Sequence, residues 1–545
     1  MEIVKEKLAA LSFATIQENG RTITVTVPKE NLYETAKMLR YEQGSPFDYL
    51  MDIIGMDYGD EGLGVIYNLC CTQFPSYLVA LKTSTADRED PILYSVHDLW
   101  KSAELYEREV YDFFGIRFIN NPDMRRLFLR TDWNGYPLRK DYNADPKFNP
   151  IPSDNELIEN METVPTLEIK MGQEIESTYK LFGEEEYIVN FGPQHPATHG
   201  VLHLRVSLEG EIIKKIDPNF GYIHRGVEKM SEAYTYPQIL HLADRLDYLS
   251  GTINRHAVCL CCEKALELEV PMRAHYIRTI FDELTRVASH LLGWGCMAMD
   301  MGSITAFVYG MRDREKIMDI FEETAGGRLM VNYNVIGGVA EDIHPNFQRR
   351  VKEFIKYMRK MLKEHHILFT GNPIARGRME GIGHLSKEAA ISLGAGGPSG
   401  RASGWSNDIR KIEPYAAYRY VNFNEILRQD GLTFDRYIIR LDEIEESLNI
   451  LEQLIDNIPD GPYAAKTKAI IRLPEGEFLQ RVENARGEFD VYINSKGDKS
   501  PYRIKFRSPC LTLVNALNET AVNSKVADLI MIGASLDYVV PCIDR

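Results

Sequence analysis

Apolar positions change their period along the chain, and the changes divide it into three stretches. In residues 21–28 (Arg-Thr-Ile-Thr-Val-Thr-Val-Pro), Ile23, Val25 and Val27 fall on one face, the period-two mark of a half-buried strand. Apolar runs at 65–69 and 77–81 predict further strands and 96–110 predicts a helix, so residues 1–142 read as a small α/β domain. Over 143–177 the period is lost. Pro146, Pro150, Pro152 and Pro165 sit there among scattered acids, and proline's fixed φ and missing N–H suit an extended linker. The third stretch, 178–545, opens with Leu202, Leu204, Val206 and Leu208 alternating with polar residues, a turn at Glu209-Gly210, and a second strand over 211–216. Helical spacing follows. Ile277, Ile280, Phe281, Leu284, Val287 and Leu291 make one stripe, Phe347, Val351, Phe354, Met358 and Met361 a second. Leu441, Ile444, Leu448, Leu451, Ile455 and Ile458 make a third, which Pro459 closes. The fold class expected is α+β: a small α/β domain, then a mainly helical domain with one small antiparallel sheet at its start.

Size supports the division, because 545 residues exceed what one core organises. A formal charge of -16 argues against nucleic acid as a partner, since phosphate binding needs a basic face. No run approaches the roughly 20 apolar residues that cross a bilayer, and the acidic start is a poor signal peptide. Eight cysteines fit a reducing compartment and make no disulfide framework.

Candidate chemistry is concentrated in a few places. Gly192-Pro-Gln-His-Pro-Ala-Thr-His-Gly-Val-Leu-His203 carries His195, His199 and His203 at spacing four. On a helix they would share a face and suggest zinc. Pro196 and Gly200 break such a helix, so the segment reads as a rigid turn between strands, where a histidine is more often hydrogen-bonded than reactive. His241-Leu-Ala-Asp-Arg-Leu-Asp-Tyr248 reads most simply as a charged helix face with local ion pairs. Asp300 is a lone acid among methionines, and burial there would raise its pKa unless a cation or histidine pairs with it. Cys259-Leu-Cys-Cys262 has no second pair for a metal. Gly394–Gly404 lacks the order of a phosphate loop and reads as a flexible segment with Arg401 as a fixed cation.

Longer motifs carry a resemblance. Glu107-Arg-Glu-Val-Tyr-Asp-Phe-Phe-Gly-Ile-Arg-Phe118, Pro122-Asp-Met-Arg-Arg126, Asp132-Trp-Asn-Gly135 and Pro137-Leu-Arg-Lys-Asp-Tyr142 resemble the 30-kilodalton subunit of respiratory complex I, with Asn121 where that family usually has histidine. Asn190-Phe-Gly-Pro-Gln-His-Pro-Ala-Thr-His-Gly200, His224-Arg-Gly-Val-Glu-Lys229, Asp244-Arg-Leu-Asp-Tyr248, Asp435-Arg-Tyr437, Arg486-Gly-Glu488 and Asp544-Arg545 resemble the 49-kilodalton subunit. Together they resemble the fused C/D subunits of NADH-quinone oxidoreductase, a peripheral-arm position on the cytoplasmic face of a bacterial inner membrane.

The resemblance implies a fold like the large subunit of nickel–iron hydrogenases, whose metal is held by two C-x-x-C pairs. Here Asp247 and Ser250 take the first pair and Val539 and Cys542 the second. One thiol of four does not hold such a centre. In the family the emptied pocket receives the quinone headgroup. Tyr248 resembles the tyrosine at one carbonyl, His199 the histidine at the other, and Asp300 the acid paired with it. His224 and Arg225 resemble residues facing a 4Fe-4S cluster on a partner subunit. No cofactor is expected on the chain itself. The substrate implied is menaquinone or ubiquinone, and the partners are the terminal-cluster, ferredoxin-like and membrane quinone-channel subunits of a proton-translocating enzyme.

Departures from the family are Met330 for a histidine near the cluster, Val335 for an arginine, and Asn407 for a tryptophan. Two other readings stand beside quinone reduction: a ferredoxin-dependent or hydrogenase-like membrane complex, and a scaffold without catalysis. The sequence names neither the electron donor nor the quinone.

Overall fold

The computed structural model describes residues 2–9, 11–42, 46–143, 162–170, 173–183, 186–195 and 198–545. Strands β1 (Thr15–Asn19), β2 (Thr22–Thr26), β3 (Tyr49–Asp57), β4 (Leu63–Cys70) and β5 (Leu78–Thr85) form one sheet in the order β1-β2-β5-β4-β3. The β2–β5 pair is parallel and its other neighbours are antiparallel. The expected strands at 21–28, 65–69 and 77–81 are β2, β4 and β5. β3 shows no alternation because both its faces are buried.

Helices α1 (Glu2–Ala9) and α2 (Leu32–Arg40) flank this sheet in sequence, and α3 (Ala103–Phe114) packs on β3. A Cβ on Gly55 of β3 would lie 2.4 Å from the Phe114 ring, so the strand must be bare there. The helix expected from 96 starts only at Ala103. The preceding turn is closed from α3 itself, where the Glu107 carboxylate accepts from Val96 N at 2.9 Å and from the Ser95 hydroxyl at 2.5 Å. A short parallel pair, β6 (Ile92–Tyr94) and β7 (Arg117–Ile119), completes the first half.

The stretch read as a linker over 143–177 contains paired structure. Strands β8 (Thr163–Lys170) and β9 (Gln173–Lys180) form an antiparallel hairpin. β8 leans on the first half through Asn120 N to Leu167 O at 2.8 Å and Met124 N to Pro165 O at 3.1 Å. Every residue of β9 is exposed, so it carries no apolar alternation to read. Pro146, Pro150 and Pro152 lie outside the described residues.

Next comes the expected antiparallel sheet, β10 (Tyr187–Phe191), β11 (His203–Glu209) and β12 (Ile212–Asn219), with β11 central. Helices α4 (Gly251–Ala265), α5 (Met272–Asp300) and α6 (Ile304–Ala325) follow, then a two-stranded ladder of β13 (Asn334–Val335) and β14 (Gly338–Val339), and α7 (Phe347–His365). The three apolar stripes fall on α5, α7 and a long helix at Thr433–Ile455, which stops before reaching Pro459.

Two expectations are corrected in this half. Gly394–Gly404 is not a flexible segment. Its centre is a buried helical turn, α8 (Gly397–Ala402), and Arg401 is ion-paired to Glu443 and Glu483 at 2.8 and 2.7 Å. The long helix Thr433–Ile455 is α9. After it comes a second sheet, β15 (Gly476–Asn484), β16 (Gly487–Ser495) and β17 (Arg503–Arg507), that the helical reading omitted. Its buried positions include Arg481, Glu483, Glu488, Asp490, Arg503 and Lys505, yet Phe489, Val491 and Ile493 in β16 and Ile504 and Phe506 in β17 alternate with them, a period-two signal that the helical reading passed over. Helices α10 (Pro509–Asn515), α11 (Val526–Leu536) and α12 (Val540–Asp544) end the chain. The result is a mixed helix-and-sheet, α+β protein.

Charged groups join the halves. Arg503 Nε donates to Gly55 O at 3.2 Å, and Arg545 Nη2 pairs with Glu109 of α3 at 2.9 Å. Lys505 pairs with the same Glu109. Burial makes the Glu109 carboxylate and the two cations on it, Lys505 and Arg545, depend on one another.

Candidate functional site

Three segments converge where the β10–β11 loop meets the end of α5. The loop is held by its own bonds: Thr198 Oγ1 donates to His195 O at 2.8 Å and Gly200 O at 2.9 Å. Of the histidine-rich segment, residues 196 and 197 lie outside the described residues. His199 has a positive φ of 49°. Gly200, at φ 150°, lets α12 approach, since a Cβ there would lie 2.9 Å from Val540 Cγ2.

His199 Nε2 lies 2.7 Å from Asp300 Oδ2, and both side chains are largely buried. Burial alone would depress the imidazole, yet the Asp300 hydrogen bond and charge raise it above the ordinary histidine range. Asp300, the last residue of α5, therefore has the histidine partner that its burial requires. The neighbouring histidines do other work: His203 lies near Asn190 Oδ1 at 3.0 Å and the Tyr222 hydroxyl at 3.2 Å.

Tyr248 remains 41% exposed, so its ring is available to a ligand. Partial burial, with Asp247, Cys296 and Asp537 nearby, raises its phenol, and Arg486 opposes this. The segment before it is no exposed helix face, for Asp244 and Asp247 are buried. Asp244 pairs with Arg255 at 3.0 Å. Asp247 Oδ2 accepts from Arg486 Nη1 at 3.0 Å while its Oδ1 accepts from Leu249 N at 3.1 Å.

Arg486, in the β15–β16 turn, stands out in the sequence only as part of a motif. Its guanidinium also donates to Ser289 Oγ at 2.9 Å, Asp537 O at 2.8 Å and Asp537 Oδ1 at 3.2 Å. Thus His199 and Asp300 touch directly, whereas Tyr248 adjoins them through the Asp247–Arg486–Asp537 bridge. Sequence reasoning misses Asp537 altogether. The only signal is an acid following an apolar helix, which marks a helix end equally well.

Other predicted positions lie elsewhere. His224 stacks on Phe113 and Phe128, with Nδ1 2.5 Å from Asp544 O, and lines a small cavity between the halves. Arg225 beside it is exposed. Ser250 is buried with its hydroxyl unpartnered, and Cys542 accepts from Ser508 Oγ at 3.0 Å. Cys259, Cys261 and Cys262 are buried in α4, and burial raises all three thiols. Among the described residues no group of three or more His, Cys, Asp or Glu side chains is placed to hold a metal. Asn407 is buried with its amide nitrogen unpartnered. Met330 O accepts from Asn332 Nδ2 at 3.1 Å, and Val335 O accepts from Arg278 at 2.5 Å.

Comparison with known proteins assigns nearly the whole chain. Residues 25–147 match the family model described as the 30 Kd subunit of respiratory-chain NADH dehydrogenase, and 300–473 with 466–545 match that of its 49 Kd subunit. The C/D-type NADH-quinone oxidoreductase subunit of Phocaeicola vulgatus is 58% identical over 522 residues, covering 96% of this chain and 99% of that protein. The chain belongs to the fused C/D family of NADH-quinone oxidoreductase subunits. Its C/D-type relative from Bacteroides thetaiotaomicron is 57% identical across 93% of the chain and 97% of its own length. An unfused D-type relative, from Desulforamulus reducens, is 44% identical over 66% of this chain and 98% of its own length. The chain is therefore part of an oxidoreductase complex, with other complex I subunits as partners. Among its described residues no helix is long and apolar enough to cross a membrane.

Proposed function

We propose that His199, Tyr248 and Asp300 form the quinone headgroup site of this complex. The observation that carries the reading is the 2.7 Å His199–Asp300 pair, which shares the charged neighbours Arg486 and Asp537 with a half-exposed tyrosine. Reducing a quinone puts two electrons and two protons on it, and negative charge develops at each carbonyl oxygen. Asp300 holds His199 Nε2 and favours the imidazolium, which leaves Nδ1 to donate to one carbonyl. Tyr248 donates to the other, its proton kept by a raised phenol pKa until charge develops. Electrons come from outside the chain, from an iron–sulfur cluster on a partner that the exposed Arg225 faces. Proton translocation belongs to membrane subunits, and the chain sits on the cytoplasmic face as two halves, 1–142 and 178–545, joined over 143–177.

The fold of the second half is that of a nickel–iron hydrogenase large subunit whose metal positions have been reassigned. Asp247 is committed to a guanidinium, Ser250 is a hydroxyl, Val539 is apolar, and Cys542 is a packed thiol. Soft thiolate ligands are missing, which disfavours hydrogen chemistry. Met330 in place of histidine makes reduction of the partner's cluster less pH-dependent, suiting a low-potential quinone. The test is quinone reductase turnover of the assembled complex carrying His199→Ala. A drop of at least roughly tenfold supports the site, and unchanged turnover rejects it.

A further inference from the structure

We infer that Arg486 is a positioning residue for this site: its guanidinium clamps the Tyr248 segment to the start of α12 and sets the charge between the two proton donors. The inference rests on the quinone-site reading and adds a residue that does not itself touch substrate.

The geometry is that of a bridge. Arg486 is fully buried, and its Nη1 reaches Asp247 Oδ2 at 3.0 Å, immediately before Tyr248. Its Nε and Nη2 reach Asp537 O and Oδ1 at 2.8 and 3.2 Å, two residues before Val539 and the α12 helix. Val540 of that helix is the side chain against which Gly200 is bare, so its position is passed on to the loop bearing His199. Ser289 Oγ, at 2.9 Å, ties the same guanidinium to α5, the helix that ends at Asp300. One planar fork thus bonds the Tyr248 segment, the helix of Asp300 and the residue that leads into α12, and it reaches the His199 loop only through Val540 packed on Gly200. A lysine ammonium offers a point charge and cannot bond them all in one plane.

The surrounding charges make the clamp an electrostatic element as well. His199 feels Asp300, Asp537 and Arg486; Tyr248 feels Asp247, Cys296, Asp537 and Arg486, and lies near Arg314. Arg440, from α9, approaches the other Asp537 oxygen at 3.5 Å, and Cys510 and Cys542 lie on the Arg486 side. Arg486 pushes the His199 imidazolium toward losing its proton, and Asp537 holds it on.

The experiment is the pH profile of quinone reductase activity in the assembled complex, with assembly checked on native gels. Arg486→Lys keeps the charge and loses the fork. It should lower kcat by roughly 10–100-fold with little change in quinone KM and no shift of the alkaline limb. Arg486→Gln should move that limb to higher pH, and Asp537→Asn to lower pH. A structural role alone predicts lost assembly or a uniform fall, without limbs that move in opposite directions. If Arg486→Gln does not assemble, the Asp537→Asn limb and the Arg486→Lys split decide. Full kcat in Arg486→Lys, or an unmoved limb in assembled Asp537→Asn, overturns the inference. His199→Ala with normal turnover would instead reject the quinone site itself.

Discussion

The Tyr49 hydroxyl in the first sheet donates to Glu488 Oε2 in the last sheet at 2.7 Å, with both residues buried and 439 positions apart. Arg507 donates to the same hydroxyl at 3.0 Å, so one phenol oxygen joins a carboxylate and a guanidinium across the two halves. Tyr49→Phe removes it while keeping the ring edge-on to Trp405. The change should cost about 1–3 kcal/mol, because a buried donor and acceptor are left without that partner. Urea denaturation of the purified chain measures this, and an unchanged midpoint would show the link to be idle.

Gly200 makes a second relationship testable. Gly200→Ala forces a Cβ to within 2.9 Å of Val540 Cγ2 at a backbone angle that side chains rarely adopt. The variant should lose about 1–3 kcal/mol and most of its quinone reductase activity. Adding Val540→Ala should restore part of both, since it removes the contact and leaves only the backbone strain. No recovery in the double variant would place the fault elsewhere.

Stability should also carry a pH signature from α3. Burial lifts Glu107 from 4.5 to about 7, despite hydrogen bonds from Ser95, Val96 N and Asn121. The folded protein then holds a proton that the unfolded chain releases above pH 4.5. Below that value both states are protonated and nothing is lost. As pH rises from about 4.5 to about 7 the folded state forfeits about 3 kcal/mol. Glu107→Gln should flatten that part of the stability profile, and an identical slope in both proteins would contradict the assignment.

Asp300→Asn tests the pair at the site. The amide keeps a hydrogen bond and removes the charge that holds the proton on His199. The alkaline limb of quinone reduction should move to lower pH, with kcat down roughly 10–100-fold. An unmoved limb would mean that another group delivers the proton.

These predictions rest on residues that differ in how readable they are. Alternation places β2, which has one buried face, apolar runs place β4 and β5, where β4 is buried throughout, and helical stripes place α5, α7 and α9. Together they miss β15, β16 and β17, although Phe489, Val491 and Ile493, then Ile504 and Phe506, alternate with polar residues; the intervening charges are buried as well, Arg481 against Glu488 and Lys505 against Glu109 of α3. The glycine-rich 394–404 segment misleads for a different reason. Its glycines serve close packing, as at Gly397, where a Cβ would lie 2.3 Å from Arg486 O. At the site, the lone acid among methionines reads as needing a cation or histidine if buried, and Asp300 lies 2.7 Å from His199. Arg486 and Asp537 are invisible as site residues in the sequence, since their roles depend on segments brought together from 247, 289 and 537.

The central claim is that Tyr248 donates to a bound quinone. Its most direct test is turnover of the assembled, membrane-bound complex carrying Tyr248→Phe, measured with quinone as acceptor. Loss of one phenol donor should lower kcat/KM for quinone by roughly 10²-fold or more, with the complex intact on native gels and its reduction of an artificial acceptor unchanged. Wild-type quinone turnover in that variant would contradict the account.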